Sequence, residues 1–130
     1  MQRHECRPAH VLVGSKTEPI TYTAPGAREY VKIGVLIVAY NAETTLVGVL
    51  DRIPAETSLG LTEVLVQDDH STDATHAIAT EYLSREHHLN LTVVRHEQNL
   101  GYGGNQKAGY QYAIDHGWDV AVLLHGDGQY

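Results

Sequence analysis

Apolar runs and amphipathic stretches alternate along most of this chain. Lys32–Ala39 is nearly continuously apolar and rich in β-branched residues, the pattern of a strand covered on both faces. Polar Tyr40–Glu43 follow, and Thr44 or Thr45 can cap a helix. Leu46, Val49, Leu50 and Ile53 then fall at i, i+3, i+4 and i+7, one apolar stripe that Pro54 ends. Ala55–Leu61 is expected to loop to a second strand, Thr62–Gln67. Ser71, Thr72 and Asp73 offer caps for a helix running to about Glu86, with Ala74, Ala77, Ile78 and Tyr82 as its expected buried side. Leu89–Val94 is a third strand, and His96–Gly104 a loop rich in Asn and Gly. A helix from about Asn105 to His116 follows, with Gly117 suited to its C-terminal turn, and Asp119–Leu124 is a fourth strand.

The order β-α-β-α-β-α-β predicts an α/β fold: a Rossmann-like, doubly wound, mainly parallel sheet with helices on both faces. Numbering these strands one to four, the expected spatial order is 3-2-1-4. Ligands of such sheets bind at the C-terminal strand ends, where the chain reverses direction. Here that crevice would lie between Tyr40–Glu43 and His125–Asp127, with Asp68 and Asp69 alongside. Residues 1–30 lack periodicity, apart from a short apolar Val11–Val13, and are broken by Pro8, Pro19, Pro25 and Gly26. They read as a poorly ordered N-terminal arm, leaving 31–130 as the domain. His4, Cys6 and His10 in the arm match no zinc spacing.

Composition narrows the class. With 42% hydrophobic residues in 130, the chain can bury a core and is not a disordered segment. A net charge of −7 argues against nucleic acid as a partner, since that affinity rests on Lys and Arg neutralising phosphates. One cysteine, Cys6, cannot form an internal disulfide, which fits a reducing cytoplasm. No apolar run reaches the ~18–20 residues of a membrane span.

Four blocks at these strand ends carry the candidate chemistry. They are Val38-Ala39-Tyr40-Asn41-Ala42-Glu43, Gln67-Asp68-Asp69-His70-Ser71-Thr72-Asp73, Asn99-Leu100-Gly101-Tyr102-Gly103-Gly104-Asn105-Gln106-Lys107 and Leu124-His125-Gly126-Asp127-Gly128-Gln129. Together they resemble the inverting family 2 glycosyltransferases; the third block resembles the branch with the dolichyl-phosphate-sugar and related polyprenyl-phosphate transferases. The resemblance implies a nucleotide-diphospho-sugar donor, a lipid-phosphate acceptor and a divalent metal, Mg²⁺ or Mn²⁺. It assigns Ala39 and Tyr40 to the wall of the base pocket and Glu43 to an acidic position near the nucleoside. Asp68 becomes the acceptor for a ring N–H of the base, with Asp69 a further nucleotide-binding candidate.

Asp127 is the expected metal ligand and catalytic carboxylate, because a diphosphate beside a carboxylate calls for a cation between them. The family pattern is Asp-x-Asp, whereas this chain has His125-Gly126-Asp127. Imidazole suits Mn²⁺ better than Mg²⁺, and His125 is alternatively a hydrogen-bonding partner of ribose or phosphate. The resemblance also implies an acceptor-binding half after Tyr130, and a cytoplasmic protein peripheral to the inner face of a membrane. A non-catalytic or degenerate nucleotide-sugar-binding fragment is the alternative. Two rivals fit less well. The Gly101–Gly104 loop lacks the last glycine of a dinucleotide fingerprint and does not follow the first strand. A phospho-acceptor domain would carry its acidic pair where this chain has Tyr40-Asn41.

Overall fold

The computed structural model describes residues 10–13, 16–19, 31–55 and 60–129. Two short strands, β1 (His10–Val13) and β2 (Lys16–Pro19), pair antiparallel. The expected strand at Val11–Val13 falls within β1; apart from β1 and β2, the expected N-terminal arm, with His4 and Cys6, lies outside the described residues. The main sheet contains β3 (Ile33–Ala39), β4 (Glu63–Asp68), β5 (Leu91–Arg95) and β6 (Val120–His125). Its spatial order is β5-β4-β3-β6, all parallel, which is the 3-2-1-4 arrangement that the alternation of elements implies.

The helices are α1 (Leu46–Asp51), α2 (Thr75–Ser84) and α3 (Gly101–Asp115). Each face of the sheet has its own core, because successive strand residues point to opposite sides. Val35, Ile37 and Ala39 of β3 face α1 and α2, while Leu36 and Val38 face α3 and Trp118. The α1 stripe is buried as expected, including Ile53 just past the helix end. The close seat of α3 depends on Gly109, where a Cβ would lie 2.3 Å from Leu36 Cδ2 and 2.6 Å from Gln67 Oε1.

Three local expectations need correction. Along α2 the buried side is Thr75, Ala79 and Tyr82, not Ala74 and Ala77, which are exposed; Ile78 is half-buried. The cause is Thr75, whose hydroxyl accepts from Ala42 N (2.7 Å) and so turns its own stripe to the core. The helix expected from Asn105 starts one turn earlier, at Gly101, so the expected loop is shorter. Thr45 does not cap α1 with its side chain; its hydroxyl donates to Gly126 O (2.8 Å), tying α1 to the end of β6.

Candidate functional site

The polar strand ends meet. Val38, Ala39, Tyr40, Asp69, Asn99, Gly101, Tyr102, Asn105, His125, Gly126 and Asp127 line one open cleft of about 360 Å³. The register explains the meeting. Val38 stands opposite His125, and Ala39 opposite Asp68, so β3, β4 and β6 release their chains side by side. Gly126 N then donates to Val38 O (2.8 Å), and Asp69 N to Ala39 O (2.9 Å), each extending a strand pairing by one bond.

The sequence-expected residues divide into two groups. Ala39, Tyr40, Asp69, His125 and Asp127 line the cleft. Asp68 and Glu43 do not. The Asp68 carboxylate is wholly buried. It accepts from the backbone N and the hydroxyl of Ser71, and Arg95 Nε, its cross-strand neighbour, lies 3.8 Å away. It therefore organises the turn beneath the cleft. Adjacent strand positions face opposite ways, so Asp69 is the carboxylate on the cleft side. Glu43 is likewise engaged elsewhere: its Oε1 accepts from Ala74 N (2.9 Å), at the N-terminus of α2 rather than in α1. A carboxylate there is favoured by the helix dipole.

The loops after β3 and β4 hold one another. Asn41, at φ 51°, accepts from Thr72 N through its Oδ1 (2.9 Å) and donates its own N–H to Ser71 Oγ (2.9 Å). Asp73 accepts from Thr75 N (2.9 Å) and Glu43 N (3.3 Å). Partial burial raises the Asp73 pKa, but the Thr75 hydroxyl, the Thr75 N–H and the Glu43 N–H together outweigh it and leave the carboxyl below its ordinary 3.8. Tyr40 projects from this platform, about half exposed, with its ring available to a ligand.

The fourth wall is the start of α3, a block that sequence reasoning counted among the candidate chemistry without assigning any of its residues to the site. Asp69 Oδ1 accepts from Leu100 N (2.7 Å), Asn99 Oδ1 from Gly101 N (2.9 Å), and Asn99 Nδ2 donates to Asp69 O (3.0 Å). These caps fix a helix N-terminus at the cleft, a position that favours anions. Asn105 is buried yet lines the cleft; its amide is set by His96 Nε2 on Oδ1 (2.8 Å) and by donation to Gln67 O (3.2 Å). An Asn one turn into a helix that opens with Asn and Gly was the available signal.

Asp127 is exposed at the rim, with Oδ1 accepting from Gln129 N (2.9 Å). Among the described residues no group of three or more His, Cys, Asp or Glu gathers to hold a metal ion. One rim carboxylate does not make a cage. It does suit a hard divalent cation shared with phosphate oxygens and water, which is how Mg²⁺ sites are commonly built.

Residues 34–130 match the sequence model of glycosyl transferase family 2. The chain belongs to that family. The family 2 chain is 30% identical over 108 residues to a UDP-N-acetylglucosamine–dolichyl-phosphate N-acetylglucosaminyltransferase of Methanococcus voltae, covering 75% of this chain and 42% of the relative. Among solved structures it resembles S. aureus TarS 1–349, with TM-score 0.55 and 28% identity over 74% of this chain and 27% of that one. The same TarS portion in complex with UDP-GlcNAc gives TM-score 0.54 and 27% identity, covering 74% of this chain and 26% of that one. The family 2 chain thus spans under half the length of these relatives. Its doubly wound sheet is the Rossmann-like fold expected from its sequence.

Proposed function

We propose that the cleft binds the nucleotide diphosphate of a uridine-diphospho-sugar, and that the protein transfers the sugar, with inversion, to a lipid-phosphate acceptor such as a polyprenyl phosphate. The observation that carries this reading is the convergence of Tyr40, Asp69, the N-terminus of α3 and His125–Asp127 on one cleft. Each part of the donor finds a fitting group. The Tyr40 ring packs on the base, with Ala39 beside it. Asp69 accepts from the uracil ring N–H, the role the sequence suggested for Asp68. The start of α3 and the His125–Asp127 loop take the diphosphate. Uridine is supported by the relatives, one named for a UDP-sugar and one solved with it.

A divalent cation, Mg²⁺ or Mn²⁺, held by Asp127 and phosphate oxygens, would neutralise the charge that grows on the leaving diphosphate. An anionic lipid phosphate needs no general base, unlike a hydroxyl acceptor. Such an acceptor would bring the protein to the cytoplasmic face of a membrane as a peripheral enzyme. Among the described residues no helix is long and apolar enough to cross one.

The lone rim carboxylate favours a second reading, a nucleotide-sugar-binding module without turnover. Calorimetric titration with UDP- and GDP-sugars, with and without Mn²⁺, tests the donor site. UDP-sugar binding that strengthens with Mn²⁺ is expected. Incubation with polyprenyl phosphate then separates the readings: glycosylated lipid supports the transferase, and binding without product supports the module. Absence of binding to any nucleotide sinks both.

A further inference from the structure

We propose that Tyr102 is a positioning residue that sets the tautomer of His125, so that this imidazole meets the donor diphosphate as a hydrogen-bond donor and not as a metal ligand. The inference rests on the cleft being the donor site. Tyr102 and Gln106 lie at i and i+4 on α3, on one face of the helix. Gln106 Nε2 stands 3.1 Å from Tyr102 Oη, and Tyr102 Oη stands 3.3 Å from His125 Nε2. The two rings lie nearly parallel, 19° apart, with centroids separated by 5.4 Å.

Donor inventory fixes the first half of this relay, and the tautomer proposed for His125 sets the second. An amide nitrogen only donates, so the phenol oxygen accepts from Gln106. The phenol keeps its one proton to give, and in the proposed relay it is donated to His125 Nε2, 3.3 Å away. Nε2 therefore contributes its lone pair to Tyr102, and in the neutral ring the proton sits on Nδ1. A metal needs a ring lone pair, and the one this ring has is engaged. Nδ1–H is the group left for the cleft, and a phosphate or ribose oxygen is its complement. Where the family pattern has a first carboxylate, this chain thus offers a neutral donor. It carries no negative charge towards the diphosphate, so less cation charge is needed to offset repulsion.

The test uses the full chain with ¹⁵N-labelled histidine. Long-range ¹H–¹⁵N correlation at about pH 8, above the ordinary imidazole pKa of about 6.5, distinguishes the two tautomers. His125→Asn identifies the signal. The wild type is expected to show the Nδ1–H pattern at His125. Tyr102→Phe keeps the ring and removes the proton; it is expected to mix the two patterns and to weaken UDP binding about fivefold. Gln106→Leu is expected to move the pattern part of the way. An Nε2–H pattern in the wild type overturns the proposal, and so does a Tyr102→Phe spectrum identical to wild type. An altered spectrum with unchanged UDP affinity overturns the role towards the diphosphate. A wild type that binds no UDP overturns the donor-site reading and with it the ligand given to Nδ1, while the spectrum judges the tautomer separately.

Discussion

Gly126 offers the sharpest test of how the rim is held. It sits between His125 and Asp127, buried where β6 leaves the sheet. A Cβ added there would lie 2.9 Å from Ala39 Cβ, 3.1 Å from Ala39 Cα and 3.2 Å from Val38 O. Carbon atoms rest at about 3.5–4.0 Å, so Gly126→Ala requires a separation of roughly 0.6 Å or more. Gly126 is not among the left-handed glycines, so the effect is steric and not conformational. Ala39 cannot retreat easily. It is buried on a central strand, and its carbonyl accepts from Asp69 N. The β6 end must move instead, stretching the Gly126 N–Val38 O bond and shifting His125 and Asp127. Overpacking of this kind costs about 1–3 kcal/mol. Urea unfolding, followed by the fluorescence of the single, buried Trp118, should show a midpoint lower by about 1 M with the slope unchanged. UDP affinity should fall about fivefold, the scale of one weakened hydrogen bond. Gly103→Ala is the control, since a Cβ there meets nothing within 4 Å and alanine favours a helix. If Gly126→Ala behaves like Gly103→Ala in both assays, the packing account of the rim is wrong.

The two aspartates of β4 should separate stability from binding. Asp68→Ala leaves the Ser71 N–H and hydroxyl without their carboxylate acceptor, removes the ion-pair partner of Arg95, and should destabilise the fold by about 2–3 kcal/mol in urea unfolding. Asp69→Asn should instead weaken uridine nucleotide binding about tenfold, measured by calorimetry, at a smaller cost to stability. Asp73 has a depressed pKa, so its contribution is present above about pH 3.8 and lost as pH falls through its folded pKa; the stability gap between wild type and Asp73→Asn should narrow below pH 4 in urea titrations at descending pH. EDTA should lower affinity for UDP-sugar, and Mn²⁺ should restore it in wild type but not in Asp127→Asn; equal restoration in both would remove Asp127 from the metal account.

The sheet was legible because its strands are apolar on both faces and its connections are regular. Lys32–Ala39 and Thr62–Gln67 announce strands by their apolar runs, and the strand order is that of a doubly wound sheet. The start of α3 was not legible, since Gly101, Gly103 and Gly104 are poor helix formers. The helix begins there because Asp69, distant in sequence, caps it. Which of Asp68 and Asp69 lines the cleft was not legible for a related reason. Identical letters at adjacent positions face opposite sides, and the Arg95 partner that marks Asp68 as structural comes from another strand. Glu43 was expected near a nucleoside, whereas its carboxylate accepts from Ala74 N at the start of α2. Family likeness located the cleft; only tertiary contacts could sort its lining from its supports.

The crossed hydrogen bonds among Asn41, Glu43, Ser71, Thr72 and Ala74 give the two loops beside the cleft a collective character. Neither loop can open alone, because each supplies partners to the other's backbone. Their amides should exchange with deuterium as one cooperative unit, and slow together when a nucleoside docks. Where loops are already fixed in this way, little binding free energy goes to ordering the protein, so even a free nucleoside lacking phosphates should register there as a weak guest.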